Sequence, residues 1–147
     1  LVYNTETALR LRREAGDNIG VNFDPSHLFW QGMDPIECVK ALGDTIYHVH
    51  AKDTKIDARN TALNGVLDTK HYGDILNRSF VFRTVGYGHD DEFWKHLVST
   101  LRLVGYDGTI SIEHEDGIMS VNEGFTKAAN FLNGLILKES AGEMWWA

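Results

Sequence analysis

The chain has 147 residues, the length of one domain and too short for two large ones, and its 43% hydrophobic content, with 7 Phe, 5 Tyr and 4 Trp, suffices for a buried core. Its 14 Lys and Arg against 21 Asp and Glu leave a formal net charge of -7, which excludes a basic nucleic-acid footprint. One Cys excludes an internal disulfide framework and a Cys-based zinc site, and no run of about 18 apolar residues predicts a membrane helix.

In chain order, Asn4 or Thr5 caps a first helix with residues 7–11 as its body and Gly16 as its left-handed stop. Residues 19–23 predict a short buried strand ending at Asp24-Pro25. Asp34-Pro35 opens the next helix, Pro35 being pre-set for a first turn, with Ile36, Val39, Ala41 and Leu42 inward and Cys38 as a small hydrophobe. Gly43-Asp44 closes it, and residues 45–50 form a second strand. From about Lys52 to Gly88 the chain is polar and no regular element is predicted. Phe93, Leu97, Leu101 and Val104 recur at helical spacing over residues 92–104, Gly105 ends that helix, residues 109–113 form a third strand, and residues 122–137 a last helix.

Helix and strand therefore alternate across residues 1–147 without a domain boundary. Such alternation implies parallel strands joined by crossover helices, in an open doubly wound sheet or in part of an eight-stranded barrel. Gly86-Tyr87-Gly88 lacks the third glycine of a dinucleotide loop.

Chemistry-bearing residues gather after each strand: Asp24 and His27 after the first, His48 and His50 with Lys52 and Asp53 at the second, and Glu113, His114, Glu115 and Asp116 at the third. Parallel α/β folds place their sites at that edge, so these side chains converge there. Carboxylate and imidazole are ligand types for Mn²⁺, Zn²⁺, Co²⁺ or Mg²⁺. Each residue also has a plain structural role open to it. Asp24 before a proline suits turn chemistry, His48 and His50 share one strand face, and Lys52-Asp53 suits a surface ion pair of little worth. Glu113 is harder to explain this way, because a carboxylate closing an apolar strand needs a partner or a cation. Phe29 and Trp30 suit packing or an apolar wall over a ligand.

At these residues the sequence resembles the sugar phosphate isomerase/epimerase superfamily, the xylose-isomerase-like (β/α)8 barrels, which also include endonuclease-IV-type enzymes. The segments that carry the likeness are residues 22–27 (Asn-Phe-Asp-Pro-Ser-His), 48–53 (His-Val-His-Ala-Lys-Asp), 86–89 (Gly-Tyr-Gly-His) and 105–113, which ends in Glu113. The resemblance implies an α/β fold in which residues 1–147 are the C-terminal part of a TIM barrel, strands six to eight with their helices. A complete barrel runs to about 250 residues, so the N-terminal half is expected to be absent from this chain.

By that resemblance Asp24, His50 and Glu113 are metal ligands, and Glu113 and His27 are catalytic. His27, Lys52 and Trp30 contact substrate, while His48 and Asp53 support the site from behind. The family's fourth ligand, a Glu ending strand five, would lie before Leu1, and Ile56 stands near where ketose epimerases carry an Arg. Arg59 and Arg83 are loose candidates for that role. The implied activity is divalent-metal-dependent isomerisation or epimerisation of a sugar or sugar phosphate, by proton transfer through a metal-stabilised enediolate. A metal-dependent hydrolase of the endonuclease-IV kind, and a fragment that binds metal without turnover, are the alternatives. Expected partners are a small sugar or sugar phosphate, with no nucleic acid and no membrane. A homo-oligomer could form through Phe29-Trp30 and the tail Met144-Trp145-Trp146, and the lone Cys38 suits the cytoplasm.

Overall fold

Local capping chemistry sets the helix boundaries in the computed structural model, which describes residues 1–147. Asn4 caps α1 (Thr5–Ala15) by accepting from the Thr7 amide, and Gly16 ends it at φ 87°. After β1 (Val21–Phe23), Asp24 accepts from the Ser26 amide and opens a short helix, α2 (Pro25–Phe29). Asp34 caps α3 (Pro35–Leu42) with Pro35 in the first turn. A 3-10 turn leads into β2 (Ile46–Ala51). Three elements follow in the stretch expected to be irregular: β3 (Asp53–Ile56), α4 (Ala58–Asn64) and β4 (Phe80–Arg83). Asp90 caps α5 (Asp91–Leu103), β5 is Ile110–Ile112, and Ser120 caps α6 (Val121–Asn133).

The main sheet runs β1-β2-β5, all parallel. The expected parallel α/β layout is thus present. His50 lies opposite Ser111 and Ala51 opposite Ile112, and Glu113 N–H continues the ladder to the Ala51 carbonyl at 3.1 Å. Along β2, Val49 and Ala51 are buried against α5 and its neighbours, while His48 and His50 alternate to the other, partly open face. The core joins that buried face to Ile36, Val39 and Leu42 of α3 and to Trp94, Leu97 and Leu101 of α5. Each fully buried aliphatic side chain there contributes about 1.5–3 kcal/mol. Cys38 is buried in this core, and burial, with Asp34 and Glu37 nearby, pushes its thiol pKa up.

The structure corrects the sequence reading of residues 52–88. β3 and β4 form an antiparallel pair, Asp53 opposite Arg83 and Ile56 opposite Phe80, which stands apart from the parallel sheet. Their connection is tied down by polar contacts. Asp68 accepts from the Ser79 and Lys70 amides at 2.6 and 3.0 Å, and Asn60 donates to the Leu76 and Arg78 carbonyls. Residues 25–29, unassigned from the sequence, are helical because Asp24 and Pro25 supply cap and first turn. α6 ends at Asn133, four residues short of expectation, where Gly134 follows. Phe29 and Trp30 are not an open apolar pair, since Phe29 stacks on His89 at 3.7 Å and Trp30 on Phe80 at 5.0 Å. Met144, Trp145 and Trp146 are exposed. No helix is long and apolar enough to cross a membrane.

Candidate metal centre

Three strand ends deliver the centre. Asp24 leaves β1 with its two oxygens doing different work: Oδ1 caps α2 by accepting from Ser26 N at 2.9 Å, and Oδ2 faces Lys52 and His27, each at 3.5 Å. The turn role and the site role of Asp24 therefore coexist. His50 projects from β2 between two partners, with Nδ1 2.9 Å from Glu113 Oε2 and Nε2 3.3 Å from Asn22 Nδ2. Glu113 follows β5. One ligand atom from each of Asp24, His50 and Glu113 lies within 4.8 Å of the others.

Lys52 sits in the middle of this acidity. Only 2% of its side chain is exposed, and Nζ is 2.9 Å from Glu113 Oε1, 3.0 Å from Glu115 Oε2 and 3.5 Å from Asp24 Oδ2. The Phe82 ring lies 4.6 Å away. Burial alone would lower the ammonium's pKa, but hydrogen bonds to Glu113 and Glu115 and the charge of Asp24 outweigh it and raise it. The mirror effect acts on Glu113. Burial would raise its pKa, yet the Lys52 hydrogen bond and the positive charges of Lys52, His50 and His27 hold it below the ordinary carboxylate range.

The remaining sequence candidates fall around this centre. His48 is held by Ser111, Nε2 to Oγ 2.9 Å, with its ring edge-on to His50 at 5.5 Å. His27, exposed at 52% of its side chain, meets Phe82 edge-on at 5.5 Å. Trp30 lies flat on Phe80, and its indole Nε1 is buried with no hydrogen-bond partner.

Lys52 and Asp53 are not a surface ion pair. Both are buried, and Asp53 turns away to accept from the amides of Gly86, Gly88 and His89 and from the Trp94 indole. Arg83 is committed to Asp116 at 3.0 Å, and Arg59 is exposed on α4, so neither stands free at the centre.

Sequence reasoning gave no individual role to Glu115 or Asn22, and none at all to Tyr72 or Phe82. Strand alternation carried past β5 would have put Glu115 on the Glu113 side, and the Phe80-Val81-Phe82 alternation is itself a strand signal. A cavity of about 350 Å³ opens beside Glu115, lined by Tyr72, Phe82, Arg83 and Ile118 among others.

The residues fit a divalent cation. Two carboxylates and an imidazole supply O and N donors of the required kind, and the same carboxylates already hold one positive charge away from water.

The comparisons with known proteins agree with this architecture. A family model described as a xylose isomerase-like TIM barrel matches residues 1–135. The uncharacterized protein YfiH of Bacillus subtilis (strain 168) is 43% identical over 136 residues, 92% of this chain and 44% of that protein. The rhizopine catabolism protein MocC of Rhizobium meliloti is 29% identical over 115 residues, 78% of this chain and 34% of that protein. The crystal structure of a xylose isomerase domain protein from Planctomyces limnophilus superposes with a TM-score of 0.66 at 23% identity, covering 90% of this chain and 43% of that one. The chain thus spans less than half the length of each of these relatives.

Proposed function

The chain belongs to the xylose isomerase-like TIM barrel family, and we propose that within a complete barrel it supplies the metal-binding and proton-transferring part of a sugar or sugar-phosphate isomerase or epimerase. That family includes sugar isomerases and epimerases as well as endonuclease-IV-type members, and divalent metals and sugar-like small molecules are common among its ligands. The observation that carries the reading is the convergence of Asp24, His50 and Glu113 at the carboxyl ends of three adjacent parallel strands.

A divalent cation held by these three residues would polarise a substrate carbonyl and acidify the neighbouring C–H. Glu113 accepts that proton. Lys52 lowers the pKa of its carboxyl and holds Oε1, which leaves Oε2 toward His50. Delivery of a proton to the opposite face, by a second acid from the rest of the barrel, gives the epimer, and return from Glu113 to the adjacent carbon gives the isomer. His27, on the open side of Asp24, contacts a substrate hydroxyl, and Trp30, backed by Phe80, walls the apolar face of the sugar. Lys52 serves the substrate through the charge it lends Glu113. Asp53 works at one remove, fixing the turn that carries His89 against Phe29. The hydrolase alternative calls for further metal ligands, and only Asp24, His50 and Glu113 bring ligand atoms within 4.8 Å of one another. A reducing cytoplasm suits the unpaired, buried Cys38.

The test is a calorimetric titration of the chain with Mn²⁺ or Zn²⁺, wild type against Glu113→Gln, together with ketose turnover of the complete barrel in D₂O. The expected result is at least about tenfold weaker metal binding and loss of deuterium incorporation at the carbon next to the carbonyl. Undiminished affinity and exchange in Glu113→Gln would sink the proposal.

A further inference from the structure

We propose that the Lys52 ammonium stands where a second metal ion would otherwise bind, and so makes this a one-metal centre. The inference rests on reading Asp24, His50 and Glu113 as metal ligands, and extends it to how many ions the centre admits.

The geometry around Nζ is that of a cation site. Oxygens from three separate carboxylates, Glu113, Glu115 and Asp24, surround it at 2.9, 3.0 and 3.5 Å. Two of these carboxylates are shared. Glu113 gives Oε1 to Lys52 and Oε2 to His50, and Asp24 belongs both to the Lys52 cage and to the ligand trio. Carboxylates shared between two positive centres are what a two-metal site requires, its ions lying about 3.5–4 Å apart. Here one of the two positive centres is covalently attached. The 2% exposure of Lys52 and its contact with the Phe82 ring fix it there, since an ammonium so buried would lose its counter-charges on leaving the carboxylates.

Charge balance gives the same answer. Three carboxylates and one ammonium leave two negative charges, which a single divalent ion neutralises. A second ion beside Lys52 would leave an excess of two positive charges, against one where the ammonium is absent. The consequence for chemistry is direct. One ion can grip a carbonyl and its adjacent hydroxyl, as isomerisation requires, whereas clamping the attacking and leaving oxygens of a hydrolytic displacement is work for a pair.

The experiment counts metal ions. The chain is equilibrated with Mn²⁺, bound metal is measured by mass spectrometry and calorimetry, and paramagnetic resonance reads whether bound ions couple magnetically. Wild type is expected to bind one Mn²⁺ with an uncoupled spectrum. Lys52→Ala, which opens the cage, and Lys52→Gln, neutral and carrying an oxygen donor of its own, are expected to bind two and to show a coupled signal. Lys52→Arg is expected to stay at one. Should Lys52→Ala fail to fold by circular dichroism, Lys52→Gln decides. One ion in wild type and still one in the neutral variants overturns this inference and leaves the metal-centre reading standing. Two ions in wild type also overturn it, and none in wild type overturns the metal-centre reading together with it.

Discussion

Replacing Asp53 tests whether the turn behind the centre is held by one buried carboxylate. Asp53 is fully buried and accepts six hydrogen bonds: Oδ2 from Gly86 N, Gly88 N and His89 N at 3.1, 3.0 and 2.9 Å and from Trp94 Nε1 at 3.3 Å, and Oδ1 from Thr54 N and His89 Nδ1 at 2.8 and 2.7 Å. In Asp53→Ala the turn amides can relax toward water, but the Thr54 amide and the Trp94 indole belong to buried residues. Each stranded donor costs about 1–3 kcal/mol, so these two alone account for about 2–6 kcal/mol, and we expect a loss near 4 kcal/mol. Asp53→Asn keeps the shape and one acceptor while turning an amide donor toward donors, for an expected loss of about 2 kcal/mol. Urea unfolding, followed by Trp fluorescence and circular dichroism, gives both values from the midpoints if the slope is unchanged. Amide exchange at Gly86, Gly88 and His89 should accelerate in both variants. An alanine variant within about 1 kcal/mol of wild type, with slow exchange at those three amides, would refute the reasoning.

Asp24→Asn separates the two oxygens of that residue, because Asn caps helices as well as Asp. Stability should move by less than about 1 kcal/mol while Mn²⁺ affinity, read by calorimetry, falls at least about tenfold. Gly88→Ala should cost about 1–3 kcal/mol in the same urea assay, since its Cβ would collide with the Thr54 carbonyl oxygen and with Asp53 Oδ1, neither free to move away. For Asp116, burial would raise the pKa, but the Thr84 and Ile118 amides and Arg83 outweigh it and lower it. A carboxylate depressed in the folded state adds stability above its ordinary value, 3.8 here, and loses it as pH falls through the folded value. The stability gap between wild type and Asp116→Asn, measured by urea midpoints in a pH series, should therefore be widest near neutrality and narrow in acid. A gap that widens on acidification would reverse the sign of this argument.

What could be read in advance was whatever depends on local pattern. Asn4 and Asp34 are caps by chemistry alone, and the 3.6-residue recurrence of Phe93, Leu97, Leu101 and Val104 needs no tertiary context to predict a helix. The placement of Asp24, His50 and Glu113 at one sheet edge followed from parallel strand order, which a run of alternating helices and strands already implies. The stretch from Lys52 to Gly88 was opaque for a physical reason. β3 reads Asp-Thr-Lys-Ile, a polar sequence whose only apolar residue is at its end, and it is a strand because Phe80, Val81 and Phe82 pair with it from 24 or more residues downstream. The burial of Lys52 was equally hidden, since it depends on three carboxylates brought from two other segments of the chain.

Lys52 and Asp53 show why order matters at such a junction. Neighbouring residues in extended chain point to opposite sides, so Lys52 shares the side of His50 and Glu113, and Asp53 shares the side of Ala51 and the Trp94 helix. Each buried charge is offset only by what its own side offers. On one side are carboxylates, which suit an ammonium; on the other are backbone amides and an indole N–H, which suit a carboxylate. Adjacent in sequence, the two cannot satisfy one another without abandoning both sets of partners. A one-residue shift of the chain through this junction would turn Asp53 toward Asp24, Glu113 and Glu115 and Lys52 toward the ring of donors, like facing like on both sides. The facing of this junction is therefore set by charge as well as by the shape of the core, and the order that turns Asp53 to its donors also keeps the ammonium in the candidate metal centre.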